Sequence, residues 1–256
     1  MGLFSGVGVA LVTIFDPDGK VDAQATGRHA ADLVSRGMKS VLVNGTTGEA
    51  GTLTDDERIE LLKAVRAAIP ADIPILAGTG GASTEVAVGL TKAALDAGAD
   101  VMLAYPPPGY ADAAELHAFH EAVATAADGK PVLAYHVPWV SSPGVPVQDL
   151  PNLPIEGIKD SSGSADRLLD ELAHYTGSVY VGSSALLSLA GPMGGAGAIL
   201  ALANIEPERC VLAFDGDGGA QRGLAQAHLA VRAGGPARLK QLLAERSDYP
   251  ATSRLP

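Results

Sequence analysis

The chain has 256 residues, 47% of them hydrophobic and 18% charged, a balance that suits a soluble globular enzyme and excludes a disordered chain. Its net charge is −11 and its 18 lysines and arginines are scattered without a basic run, which argues against nucleic acid as a partner because phosphate backbones are held by clustered cations. No apolar run reaches transmembrane length, the first residues lack the basic region of a signal peptide, and Gly6 stands where a myristoylation signal opening on Met1-Gly2 needs Ser or Thr, so the expected setting is cytoplasmic, away from membranes.

Short apolar runs alternate with helical patterns along the chain. Gly6 to Ile14 reads as a first strand, Ser40 to Asn44 as a second and Ile73 to Ala77 as a third. Thr54-Asp55-Asp56-Glu57 has capping-box spacing and opens a helix whose apolar stripe is Ile59, Leu62, Val65 and Ile69. Val86, Leu90, Ala94 and Ala97 form the stripe of the next helix, which Gly98 ends. Val101 to Leu103 and Val132 to Tyr135 read as strands four and five, with a helix over Asp112 to Ala127 between them. Ile155 to Asp160, Val179 to Val181 and Ala198 to Leu200 complete eight strands, and Ser164 to Tyr175 is a further helix. Continuous apolar runs of this length suit strands buried on both faces. Eight β/α alternations point to an α/β fold of the TIM (β/α)8 type, with a doubly wound sheet as the alternative.

The barrel is expected to occupy residues 1–214. Asp215-Gly216-Asp217-Gly218-Gly219 breaks the chain, and helical patterns around Ala220–Ala233 and Pro236–Arg246 make residues 215–256 a short C-terminal helical appendage. The single cysteine, Cys210, cannot close an internal disulfide and reads as a small packed residue in the apolar run Cys210 to Phe214.

Reactive groups of such barrels sit at the carboxyl ends of strands. Those ends are Asn44-Gly45-Thr46-Thr47-Gly48-Glu49, Tyr135-His136-Val137-Pro138 and Gly157-Ile158-Lys159-Asp160-Ser161-Ser162. A lysine closing an apolar strand carries its amine into the barrel mouth, and burial favours the neutral form of an amine, the form that attacks a keto carbon. Lys159 is equally read as a structural ion pair with Asp160 or another carboxylate. Thr46 and Thr47 supply hydroxyls and amides able to cradle a carboxylate, or they simply cap a loop. Tyr135 offers a phenol for proton relay, or packs.

Together, and in order, these segments resemble the dihydrodipicolinate synthase / N-acetylneuraminate lyase family of class I pyruvate-dependent aldolases. The resemblance also takes in Val9–Phe15, Gly19–Asp22, Leu53-Thr54, Glu57-Arg58, Ala77–Gly80, Ala97–Asp100, Gly194–Ile199, Ala203-Asn204 and the ending Arg254-Leu255-Pro256. It implies that Lys159 forms an imine with pyruvate or a related 2-keto acid, so that a covalent lysine imine stands in place of any cofactor. Tyr135 and Thr46 would then relay protons, Thr46 and Thr47 would hold the keto-acid carboxylate, and Gly182 and Ile199 would line the pyruvyl pocket. It also implies a tyrosine reaching a neighbouring subunit's site, Tyr110 or Tyr105, within a homo-oligomer, dimer or tetramer. The partner substrate would be an aldehyde or, in cleavage, a sugar acid.

The departures narrow this reading. Dihydrodipicolinate synthases carry an arginine five residues after the tyrosine, where this chain has Val140. A valine cannot make a bidentate contact to a carboxylate, so synthesis of 4-hydroxy-tetrahydrodipicolinate is not expected. Gly182-Ser183-Ser184-Ala185 lacks the acidic pair of the sialate lyases, and Trp139 and His136 are candidates for the aldehyde side. His117, His120 and Glu121 read as a solvated helix face and no metal site is expected. Two other readings remain open: a keto-acid-binding homologue without turnover, and a phosphate-binding barrel using Gly194–Gly197.

Overall fold

The computed structural model describes residues 3–255; Met1-Gly2 and Pro256, where the opening and part of the ending were read, lie outside them. Eight strands, β1 (Gly6–Ala10), β2 (Val41–Val43), β3 (Ile75–Gly78), β4 (Val101–Ala104), β5 (Val132–His136), β6 (Gly157–Asp160), β7 (Ser178–Val181) and β8 (Gly197–Leu200), pair in sequence order and in parallel. β8 closes on β1, so the sheet is a complete barrel and not an open, doubly wound one. The helices around it are α1 (Ala23–Ser35), α2 (Asp55–Ala68), α3 (Thr84–Asp96), α4 (Ala113–Ala126), α5 (Ala165–His174), a single turn α6 (Leu187–Ala190) and α7 (Pro207–Phe214). Beyond them come α8 (Gly218–Gly223) and α9 (Ala225–Ala244).

Local chemistry starts several helices where the sequence marks them. Thr54 accepts from the Glu57 amide while the Glu57 carboxylate accepts from the Thr54 amide, a complete capping box. The side chains of Asp112, Ser164 and Asp217 accept from first-turn amides and cap α4, α5 and α8. Gly98, at φ +93°, ends α3, and Gly235, at φ +57° before Pro236, kinks α9 where the second C-terminal pattern begins.

Three expectations change. β1 ends at Ala10, although Leu11 to Ile14 stay buried: Leu11 N still donates to Leu42 O, but from Val12 on the backbone turns to other partners. Val12 N donates to Asn204 Oδ1 and Ile14 N to Thr26 Oγ1. At the end of α3 the expected Ala94 and Ala97 are buried, but earlier in the helix Ala87 and Thr91 are buried in place of Val86, which is 47% exposed, and Leu90. His120 is fully buried against Phe119, with Nδ1 on Leu116 O at 2.9 Å; it is a core ring, not part of a solvated face.

Burial pushes the pKa of His120 down to about 4, from an ordinary 6.5. The unfolded chain therefore takes up a proton between pH 6.5 and 4 that the folded chain refuses. The stability tied to His120 is complete above pH 6.5 and is lost as pH falls through 4. His120→Leu should flatten the pH slope of the urea midpoint in this window by about one proton; an unchanged slope contradicts the assignment.

Alternation along the strands sorts the core into two parts. Leu42, Leu76, Leu103, Leu133, Tyr135, Tyr180 and Ile199 fill the barrel interior, and Phe4 stacks on Tyr180 at 4.5 Å to plug its amino-terminal end. A larger layer, including Val41, Ile75, Val132, Ile158 and Val179, packs between sheet and helices.

Candidate active site

β6 decides where Lys159 points. Ile158 belongs to the sheet–helix layer, so the period of two turns Lys159 inward and Asp160 outward. Asp160 lies 3.7 Å from Arg167 of α5 and accepts from Ser162 N and Oγ. Burial raises its pKa, with the Ser162 bonds and Arg167 opposing. Its neighbour on α5, Glu171, is pushed up to about 8, first by burial and then by the charge of Asp160. The structural pairing of Lys159 with Asp160 is therefore absent.

Lys159 is 3% exposed and its Nζ lies 4.5 Å from the centroid of the Tyr135 ring, the residue directly across from it in the β5–β6 register. Burial of the Tyr135 phenol acts to raise its pKa. The nearby Lys159 charge and hydrogen bonds with Ser161, Thr46 and Lys159 outweigh this, and the pKa lies below that of an ordinary tyrosine. Ser161 Oγ donates to the phenol oxygen at 3.3 Å. On the other side of Lys159, a Cβ on Gly182 would meet Ser161 Oγ at 2.0 Å and Lys159 Cε at 3.1 Å. A side chain here would displace the Ser161 hydroxyl and crowd the lysine stem.

Thr46–Gly48 is a short 3-10 turn after β2, closed by Gly48 N donating to Gly45 O and Glu49 N to Thr46 O. Glu49 leaves it in the left-handed region at φ +57°. Its carboxylate turns away from the turn into the interior, where Oε1 meets Lys240 Nζ of α9 at 2.5 Å. Oε2 accepts from the amides of Arg254 and Leu255, at 2.7 and 3.1 Å. Arg254 in turn forks onto Glu57, at 2.9 and 2.6 Å, and holds that carboxyl at about 2. The threonine turn is thus clamped from behind by α9 and the C-terminal segment.

These groups open on one cavity of about 990 Å³ at the carboxyl ends of the strands. Thr46, Thr47, Tyr135, Lys159, Gly182 and Ile199, all expected there, line it. Tyr110 is not in the lining of this chain's cavity: its hydroxyl donates to Gly144 O at 2.7 Å, while Tyr105, the alternative tyrosine, is in the lining. Tyr105 lies 6.4 Å from Tyr135, ring to ring, against Gly80, where a Cβ would meet it at 2.4 Å. Trp139 and Val140 line the mouth. His136 faces outward and accepts from Val145 N at 2.9 Å, its pKa pushed down to about 4 by burial.

Sequence reasoning gave no role to Ser161, Arg58, His228 or Arg232, which also line the cavity. Ser161 stood in the quoted Lys159 segment, so its position was signalled, whereas α9 carried no motif that would single out His228 or Arg232. Cys210 is buried in α7 with its thiol pushed up to about 12 by burial, and it packs. Among the described residues no cluster of His, Cys, Asp and Glu fit for a metal ion occurs, and no helix is long and apolar enough to cross a membrane.

A closed eight-stranded parallel barrel with a cavity at the carboxyl ends of its strands, walled by a buried lysine, a tyrosine and two threonines, places the chain in the TIM-barrel class, whose active sites open at that face. The model of the dihydrodipicolinate synthetase family matches residues 3–225. A 4-hydroxy-tetrahydrodipicolinate synthase of Salinibacter ruber is 34% identical over 212 residues, covering 80% of this chain and 70% of its own. Among solved structures, dihydrodipicolinate synthase from Acinetobacter baumannii complexed with pyruvate matches at TM-score 0.91 and 29% identity, over 99% of this chain and 92% of that one. YagE, a prophage protein of the same family from E. coli K12 in complex with pyruvate, matches at 0.91 and 26%, over 100% and 93%. The chain belongs to the dihydrodipicolinate synthetase family, pyruvate-dependent lyases of the aldolase class.

Proposed function

We propose that Lys159 is the imine-forming residue of a class I lyase that joins pyruvate, or a related 2-keto acid, to an aldehyde or reverses that step. The observation that carries this reading is the buried Lys159 amine beside the Tyr135 phenol on the cavity wall, with Asp160 turned away. The Nζ lone pair attacks the keto carbon; the nitrogen gives up one proton and the carbonyl oxygen takes one up, forming the carbinolamine. That oxygen then leaves as water after a second protonation, giving the protonated imine. Tyr135, with Thr46 and Ser161 on its oxygen, delivers and recovers these protons. Thr46 and Thr47 hold the carboxylate, and Gly182 and Ile199 bound the pyruvyl group.

Loss of a C3 proton gives the enamine. Its C3 attacks the aldehyde carbon, the aldehyde oxygen gains a proton, and water hydrolyses the imine to restore Lys159. The imine is its own electron sink, so this route calls for no separate cofactor. Relatives named as synthases favour turnover over a silent binding role. We further propose a barrel domain of residues 1–214, a helical extension of residues 215–256, a cytoplasmic setting and a homo-oligomer of two or four chains.

Aldehydes and 2-keto-3-deoxy sugar acids tested for pyruvate uptake or release should include at least one that turns over. Tyr135→Phe should lower kcat on it by roughly 10²–10⁴-fold while pyruvate binding is retained. A Tyr135→Phe enzyme with unchanged kcat would contradict the relay.

A further inference from the structure

We infer that the outer end of the cavity, formed by Arg232 and His228 of α9 with Ser184 of the segment after β7, holds a carboxylate on the aldehyde substrate. The inference rests on the imine chemistry proposed above and concerns the half that Val140 leaves without a cation.

The charge balance of the cavity is the first argument. The whole chain carries −11, yet the lining contains the cations Lys159, Arg58 and Arg232 against a single carboxylate, Glu49. That carboxylate already faces Lys240 at 2.5 Å. A concave wall of one sign within an oppositely charged protein concentrates ligands of the opposite charge. The keto acid brings one carboxylate to the Lys159 end. A cavity of about 990 Å³ has room for a second reactant beyond it.

The second argument is the construction of the outer end. His228 and Arg232 are one turn apart on α9 and both line the cavity, so they share a face. Ser184 Oγ lies 2.8 Å from His228 Nδ1, which fixes the ring and leaves Nε2 as its other hydrogen-bonding atom. Gln221 of α8 ties the same segment down, donating to Ser184 O at 2.9 Å and accepting from Ser188 N at 3.0 Å. Burial, and then the Arg232 charge, depress the pKa of His228. The imidazole is thus a neutral hydrogen-bonding partner and Arg232 the cation. Among the described residues Arg232 makes no ion pair of its own, and its fork is open to a planar carboxylate.

The test uses the full chain with pyruvate and three aldehydes: glyoxylate and succinic semialdehyde, which carry a carboxylate, and glyceraldehyde, which does not. Arg232→Gln should raise KM for the two charged aldehydes about 10–100-fold, leave glyceraldehyde within about twofold, and be partly rescued by Arg232→Lys. Borohydride trapping of pyruvate alone should be unchanged in both variants. Equal effects on charged and neutral aldehydes, no effect on the charged ones, or a wild type that turns over only the neutral aldehyde would each overturn the inference while leaving the imine in place. Absence of pyruvate trapping in the wild type would instead overturn the imine reading beneath it.

Discussion

Lys159→Met is expected to yield a folded barrel that has lost turnover, with kcat/KM down by about 10⁴-fold or more. Methionine keeps most of the stem volume in a site only 3% exposed, and volume-conserving changes in a packed core cost less than about 1.5 kcal/mol. The loss should therefore appear in activity with the urea midpoint little moved. An arginine at this position would keep the charge but would not restore activity, since a guanidinium stays protonated and cannot form the imine. Residual activity within tenfold of wild type in Lys159→Met would rule out this lysine as the nucleophile.

The second large effect is expected far from any reacting atom, at Lys240. Its ammonium is 1% exposed, 2.5 Å from Glu49 Oε1 and 3.9 Å above the Phe15 ring. Burial lowers its pKa, with Glu49 opposing. Removing one partner of a buried ion pair strands the other, at a cost of about 3–5 kcal/mol. Lys240→Met should therefore lower the unfolding midpoint sharply. The same variant should raise KM for pyruvate, because Glu49 follows directly on the Thr46–Gly48 turn. The double variant Lys240→Met with Glu49→Gln, which leaves no orphaned charge, should recover most of the stability. If the single and double variants melt alike, the pair is not what holds the turn.

The fold was largely legible because strands buried on both faces read as unbroken apolar runs, and all eight were found at their places in the chain. Capping chemistry fixed α2 as sharply, since Thr54 and Glu57 satisfy each other's amides locally. Errors arose where burial and hydrogen bonding part company. Leu11 to Ile14 are as buried as strand residues, yet Asn204 and Thr26 take up the amides of Val12 and Ile14. Hydropathy records burial alone, so β1 was drawn too long.

The candidate site divides in the same way. Lys159, Tyr135 and the threonine pair stand at strand ends, where chain position nearly dictates placement, and the alternation of β6 then separates Lys159 from Asp160. Loop and helix residues depend on tertiary packing. The sequence offers His136 with Trp139, and Tyr110 with Tyr105, on equal terms, and only the packing shows that His136 and Tyr110 hydrogen-bond to the backbone of residues 144–145. The link from Glu49 to Lys240 spans 191 residues of chain, and no local pattern announces it. Arg232 and His228 become visible only once α9 is laid along the cavity.

Lys159 as the carrier of the substrate carbon is the central claim, and reductive trapping tests it most directly. Incubation with pyruvate and borohydride, followed by proteolysis and mass spectrometry, should show one adduct per chain, on Lys159, and none without pyruvate. Prior reaction in the Lys159→Met variant should abolish it. No adduct, or an adduct on another of the chain's lysines, would contradict the account.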